Sequence, residues 1–256
     1  MKADCKLSNF SLNNLAICVT TRCQMKCNNC HQLCDVAQSP KDDMTIKQVE
    51  FFLLETITLD KKWERIRITG GEPTLHPHVL LIADLLLQYK YEYNPNVELG
   101  FTTNGIGKLA TKVLKELPEE YKVTNTRKDL NSIYKFVATL NSDISIDPIN
   151  PTEVGCDRIL LHKNCSRFLS TYGFYPCPIA SAFDRVLGKD IGIKSLKDCT
   201  RENYIRQLQV FCGSCGYQNM VKSRQKIISN GWNRYIKAYS NSIPILNRYG
   251  GDLFEN

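Results

Sequence analysis

Three short apolar runs in the first half of the chain constrain its fold most, because each ends abruptly in a loop and a helix-period stretch follows. Leu15–Thr21 (LAICVTT) leads directly into a group of cysteines. Arg65–Pro73 (RIRITGGEP) alternates Ile66 and Ile68 with polar residues and breaks at Gly70-Gly71. Val97–Gly105 (VELGFTTNG) alternates Val97, Leu99 and Phe101 before an Asn-Gly turn. Between the runs, Met44–Ile57 places Thr45 and Gln48 at capping-box spacing and Ile46, Val49, Leu53 and Ile57 at helical period. Val79–Tyr89 reads as a buried helix, and Lys108–Leu117 as a helix stopped by Pro118. Tyr121–Asn125 is a candidate fourth strand. Strands separated by helices of this length make βαβ units and a parallel sheet. The three loops then share the edge at the C-terminal ends of the strands, where such folds build their sites.

Beyond Asn125 the rhythm weakens. Ile133–Leu140 and Ile144–Ile149 have strand character without an assignable order, and Asp147 stands before Pro148 either as a turn residue or facing the site. Phe168–Cys177 reads as a hairpin turning near Gly173, and Thr200–Phe211 as a helix running into Cys212-Gly213-Ser214-Cys215. The tail from Val221 to Asn256 shows no clear period.

Composition excludes several classes. The 256 residues are 43% hydrophobic and 23% charged, as in a globular chain. No apolar run approaches the ~20 residues of a membrane helix. The N-terminus lacks a secretory pattern, so a cytoplasmic location is expected. In that reducing compartment the 12 cysteines point to metal or redox chemistry instead of disulfides. Cys23, Cys27, Cys30 and Cys34 group early and Cys156, Cys165, Cys177, Cys199, Cys212 and Cys215 late, which suggests two metal sites. The net charge of +7 is spread without a basic run, which argues for a mildly basic surface and against a nucleic-acid partner.

Cys23, Cys27 and Cys30 have the spacing C-x3-C-x2-C. A structural zinc site closes with four protein ligands, and spacing leaves His31 or Cys34 open as the fourth. An iron–sulfur cluster of four irons held by three cysteines instead leaves one iron for an outside ligand. Late in the chain, Cys165 and Cys177 flank the hairpin, and Cys212 with Cys215 forms a C-x2-C knuckle. Together they are a four-ligand set for zinc or an iron–sulfur cluster.

The cysteine run after a first strand and GGEP after a second resemble the radical S-adenosylmethionine (radical SAM) superfamily. The resemblance implies an α/β fold, a partial TIM-like barrel, with a small cysteine-rich C-terminal domain. The expected divisions are residues 1–150, 151–220 and a packing tail at 221–256. It implies that Cys23, Cys27 and Cys30 bind a [4Fe–4S] cluster whose open iron chelates S-adenosylmethionine. Gly70, Gly71, Glu72 and Pro73 are then expected to meet the methionine amino group, with Asn104 close by. The aromatic residue that the family often has before the third cysteine is here Asn29, so adenine stacking falls to another group such as His31.

The late cysteines resemble the twitch form of the SPASM extension, of the 2-deoxy-scyllo-inosamine dehydrogenase type. That likeness implies one auxiliary [4Fe–4S] cluster on Cys165, Cys177, Cys212 and Cys215, with Cys156 a substitute for Cys165 or a catalytic candidate. Cys34 then reads as a spare thiol and Cys199 as a structural one. The implied activity is cleavage of S-adenosylmethionine to a 5′-deoxyadenosyl radical and hydrogen abstraction from substrate. The auxiliary cluster would accept an electron in the oxidation of a sugar, an aminocyclitol or a peptide, and a flavodoxin or ferredoxin would be the donor. Two alternatives stand beside it. One is an epimerase with Cys156 or Cys199 as hydrogen donor, and the other a zinc-stabilised binding module without catalysis.

Overall fold

The structure, a computed structural model, describes residues 12–126, 140, 144, 167–216 and 228–251. The alternation expected from the sequence is present: β1 (Asn14–Cys18), α1 (Ile46–Thr58), β2 (Arg65–Thr69), α2 (Val79–Glu92), β3 (Glu98–Thr103), α3 (Lys108–Glu116) and β4 (Tyr121–Asn125). Then come the hairpin strands β5 (Arg167–Ser170) and β6 (Gly173–Tyr175), followed by α4 (Pro178–Leu187), α5 (Arg201–Cys212) and α6 (Asn230–Asn241). One mixed sheet runs in the order β4-β3-β2-β1-β5-β6. Every pairing from β4 through β5 is parallel, and only β5 with β6 is antiparallel. This is the partial TIM-like α/β fold expected from the sequence.

Local chemistry explains the elements. Thr45 caps α1 with the reciprocal Thr45–Gln48 capping box. Alternation sorts the sheet into two faces. Leu15, Ile17, Ile66, Ile68, Leu99, Phe101 and Leu169 join α1 and α2 in one apolar cluster with Phe52, Trp63 and Ile82. The opposite face carries Ala16, Cys18 and Phe168, which join a second cluster with Phe183, Phe211 and Trp232 from the C-terminal helices. The hairpin lies where the sequence placed it, and β5 extends the sheet beside β1.

Two helices differ from the sequence reading. α4 begins at Pro178, with Cys177 as N-cap, and ends at Gly188 in the left-handed region (φ 67°). The tail, expected to lack a period, contains α6, capped by Ser229, whose oxygen accepts from the Trp232 amide. Trp232 and Tyr239 are its buried contacts, and the intervening Asn, Arg, Lys and Tyr residues dilute the apolar stripe. No described helix is long and apolar enough to cross a membrane.

Candidate functional site

Parallel pairing sets the C-terminal ends of β1, β2 and β3 on one edge, with Cys18 opposite Thr69 and Ile68 opposite Phe101. The loops that follow are bonded to each other. The Gly71 amide donates to the Thr20 carbonyl and the Glu72 amide to the Arg22 carbonyl, both at 2.8 Å. Gln32 Nε2 donates to the Gly70 carbonyl at 2.9 Å. A Cβ at Gly70 would lie 2.5 Å from the Thr20 oxygen, and one at Gly71 would lie 2.5 Å from the Arg22 oxygen. The two glycines therefore allow the GGEP turn to lie directly against the strand-end backbone that opens the cysteine loop.

Glu72 is fully buried and joins this turn to the third loop. Its Oε1 accepts from Thr74 Oγ1 and Thr103 Oγ1 at 2.8 Å each and from the Thr74 amide at 3.2 Å. Its Oε2 accepts from the Asn104 amide at 2.7 Å. Asn104 in turn accepts from Gln24 Nε2 at 3.2 Å, and its Nδ2 lies 3.9 Å from Cys23 Sγ. Glu72, Asn104 and Cys23 thus form one connected chain. All four of these hydrogen bonds come to the Glu72 carboxylate from its own fold.

The cysteine loop is turned by Asn29 (φ 58°) and Leu33 (φ 54°), both in the left-handed region. Asparagine tolerates that conformation far better than an aromatic residue, which gives a backbone reason for Asn29 before Cys30. Cys27 is buried, and Cys23 and Cys30 are half-buried. Burial pushes the Cys23 thiol up to about 11, and the nearby Cys30 and Cys27 thiols and the Glu72 carboxylate push the same way. Cys30 is lowered to about 7, chiefly by a hydrogen bond from Cys34, whose own thiol is raised by that bond and by burial. Among the described residues no three His, Cys, Asp or Glu side chains gather tightly enough to hold a single metal ion. His31, next to Cys30 in the chain, is buried.

The sheet face away from α1 and α2 is polar at this end. One register row crosses five strands as Lys122, Gly100, Arg67, Ala16 and Phe168. A Cβ at Gly100 would lie 3.3 Å from Arg67 Cγ, so Gly100 makes room for the arginine. Thr69 opposite Cys18 and Thr102 opposite Thr124 share this face at the loop edge, and Arg65 lies on it at the far end of β2. Sequence reasoning passed over Arg65, Arg67 and Cys18. Their signal was the alternation in RIRIT, which sends the arginines opposite Ile66 and Ile68.

The late cysteines are placed in part. Cys177 caps α4, its sulfur accepting from the Ala180 amide at 3.4 Å. Cys212 ends α5 and its carbonyl accepts from the Cys215 amide at 3.1 Å. Cys177 packs on the apolar cluster that contains Cys215 and Phe211. Cys156, Cys165 and Asp147 lie outside the described residues. The Cys199 thiol donates to the Ser195 carbonyl at 3.6 Å, and burial pushes it up to about 12. It lies beside Arg167, whose guanidinium reaches the Leu12 carbonyl, at the sheet edge opposite the cysteine loop.

Comparisons with known proteins give the following similarities. The family described as the radical SAM superfamily matches residues 17–126, the segment containing all three joined loops. The GTP 3',8-cyclase of Campylobacter jejuni subsp. doylei is 32% identical over 111 residues, which is 43% of this chain and 31% of that protein. The GTP 3',8-cyclase of Sulfurimonas denitrificans is 33% identical over 90 residues, 35% of this chain and 26% of that protein. The chain thus spans under a third of the length of these curated relatives. A crystal structure of BtrN in complex with AdoMet and 2-DOIA aligns with 84% of this chain and 97% of that one, at 14% identity and a TM-score of 0.47.

Proposed function

We propose, because residues 17–126 match the radical SAM superfamily, that this protein is an enzyme that abstracts hydrogen from a small anionic molecule. In this reading Cys23, Cys27 and Cys30 hold a [4Fe–4S] cluster, and S-adenosylmethionine lies against the Gly70–Pro73 turn and Asn104. When bound and reduced, that pair supplies the 5′-deoxyadenosyl radical. The chain's own task is to fix the geometry. Glu72 clamps the second loop to the third, Gln32 ties the first loop to the second, and Gln24 fixes the Asn104 side chain. Rigid loops of this kind hold a reactive species in one place relative to its target. The observation that carries the reading is the direct bonding of three strand-end loops around Cys23.

Arg67, on the sheet face away from α1 and α2, favours a substrate with a phosphate or carboxylate, since a guanidinium fork pairs with both. The relatives' name supports the same substrate class, because GTP is anionic. For the overall reaction we keep oxidation. The substrate radical would pass one electron to an auxiliary [4Fe–4S] cluster held by Cys165, Cys177, Cys212 and Cys215, and a proton to a base. A flavodoxin or ferredoxin would supply the initiating electron. The epimerase alternative loses Cys199 as a donor, because that thiol stands at the wrong edge of the sheet, and keeps Cys156.

The test is anaerobic reconstitution with iron and sulfide, then reduction in the presence of S-adenosylmethionine. Wild type should release 5′-deoxyadenosine, and Cys23→Ala, Cys27→Ala and Cys30→Ala should each release none. A colourless wild type with zinc and no 5′-deoxyadenosine would replace this reading with the zinc-stabilised module.

A further inference from the structure

The loop carrying the three cysteines is fastened at several points to one buried ion pair, Arg185–Asp42. Arg185, on α4, is 4% exposed. Its Nη2 donates to the Gln32 carbonyl at 2.8 Å, two residues beyond Cys30. Its Nη1 donates to the Ala37 carbonyl at 2.6 Å and to Tyr239 Oη on α6 at 3.0 Å. The same nitrogen lies 3.4 Å from Asp42 Oδ2, at the far end of the loop.

Asp42, 2% exposed, gathers the remaining fastenings. It accepts from Thr21 Oγ1 at 2.8 Å, two residues before Cys23, and from Tyr239 Oη at 3.2 Å. Its other oxygen accepts from Tyr172 Oη, in the β5–β6 turn, at 2.6 Å. Thr21 before the cysteines, Gln32 and Ala37 after them, and Asp42 at the end thus converge on a single guanidinium–carboxylate pair.

A loop of this length, whose regular structure is one 3-10 turn at Pro40–Asp42, closes at an entropic cost and has many alternative shapes. A planar, permanently charged fork reaches two carbonyls and a carboxylate from two nitrogens held in a fixed geometry, where a lysine offers a single nitrogen. A buried pair of this kind is sensitive to loss of one partner, because the other charge is left without compensation.

We propose that Arg185 is a positioning residue for the cluster: it holds the Thr21–Asp42 loop in the shape in which Cys23, Cys27 and Cys30 bind metal, so that α4 and α6 control how firmly the early iron is retained. The inference rests on the reading that those cysteines hold a [4Fe–4S] cluster. It adds a dependence of that cluster on residues far along the chain and outside the segment matched to the family.

The test compares full-length wild type, Arg185→Met and Arg185→Lys, each reconstituted anaerobically. The early cluster is followed by the reduced-state electron paramagnetic resonance signal that shifts on adding S-adenosylmethionine, and its loss is timed under an iron(II) chelator. Arg185→Met should lose that signal at least about tenfold faster than wild type, the scale on which outer residues tune metal sites. Arg185→Lys should fall between. A wild-type rate in Arg185→Met, even with a lowered melting temperature, overturns the proposal by reducing Arg185 to a fold-stabilising role. Should Arg185→Met fail to fold, Tyr239→Phe decides: a rate faster by about two- to threefold supports the proposal, and an unchanged rate overturns it. A wild type with no shifted signal at all sinks the cluster reading itself and this inference with it.

Discussion

The carboxylate of Glu72 accepts four hydrogen bonds with no contact to solvent, which makes it a structural joint at the centre of the site. Removing it leaves the Thr103 hydroxyl and the Asn104 amide buried without their acceptor. Glu72→Ala should therefore cost about 3 kcal/mol or more in guanidinium unfolding, and Thr103→Val, which removes one of the donors, about 1 kcal/mol. Equal and small losses would show that the carboxylate is not integral to the fold. Asn29 makes a parallel case. At φ 58° a β-branched residue is strained, so Asn29→Val should destabilise by about 1–2 kcal/mol while Asn29→Gly changes stability little, as measured by thermal unfolding.

At the scale of elements, the site exists because the turn after β2 lies against the strand-end backbone after β1. Gly71→Ala places a methyl carbon 2.5 Å from the Arg22 oxygen and 2.7 Å from the Thr21 oxygen, so the backbone must move apart. The expected loss is about 1–3 kcal/mol of stability together with weaker S-adenosylmethionine binding, read by calorimetry. Unchanged binding would place the methionine away from this turn. The alternation of β1 to β4 with α1 to α3 was legible because period-2 and period-3.6 patterns were uninterrupted and each ended in a clear breaker. α4 was not legible, since it opens on Pro178 with a cysteine, Cys177, as its cap in place of the usual Ser, Thr, Asp or Asn. α6 was hidden because its buried side chains, Trp232 and Tyr239, are spaced among polar neighbours. In the site, the cysteines and GGEP were legible as motifs. Arg67 and the Arg185–Asp42 pair were not, because only register and long-range packing give them partners.

Considered as a whole, the chain has an N-terminal half that provides three loops at one sheet edge and a C-terminal half that packs on the other face through Phe183, Phe211 and Trp232. With Cys165, the thiols of Cys177, Cys212 and Cys215 would add a second cluster there. Reconstituted protein should then carry about eight irons per chain, falling to about four in Cys212→Ser/Cys215→Ser; about four in wild type would remove the auxiliary cluster from the account.

The central claim is that the early cluster keeps one iron without a protein thiolate, and that S-adenosylmethionine occupies it. The most direct measurement is the electron paramagnetic resonance spectrum of the reduced protein before and after adding S-adenosylmethionine. A change in the signal's g-values that disappears in Cys23→Ala, Cys27→Ala and Cys30→Ala is the predicted result. A cluster signal in wild type that S-adenosylmethionine leaves unaltered would contradict it.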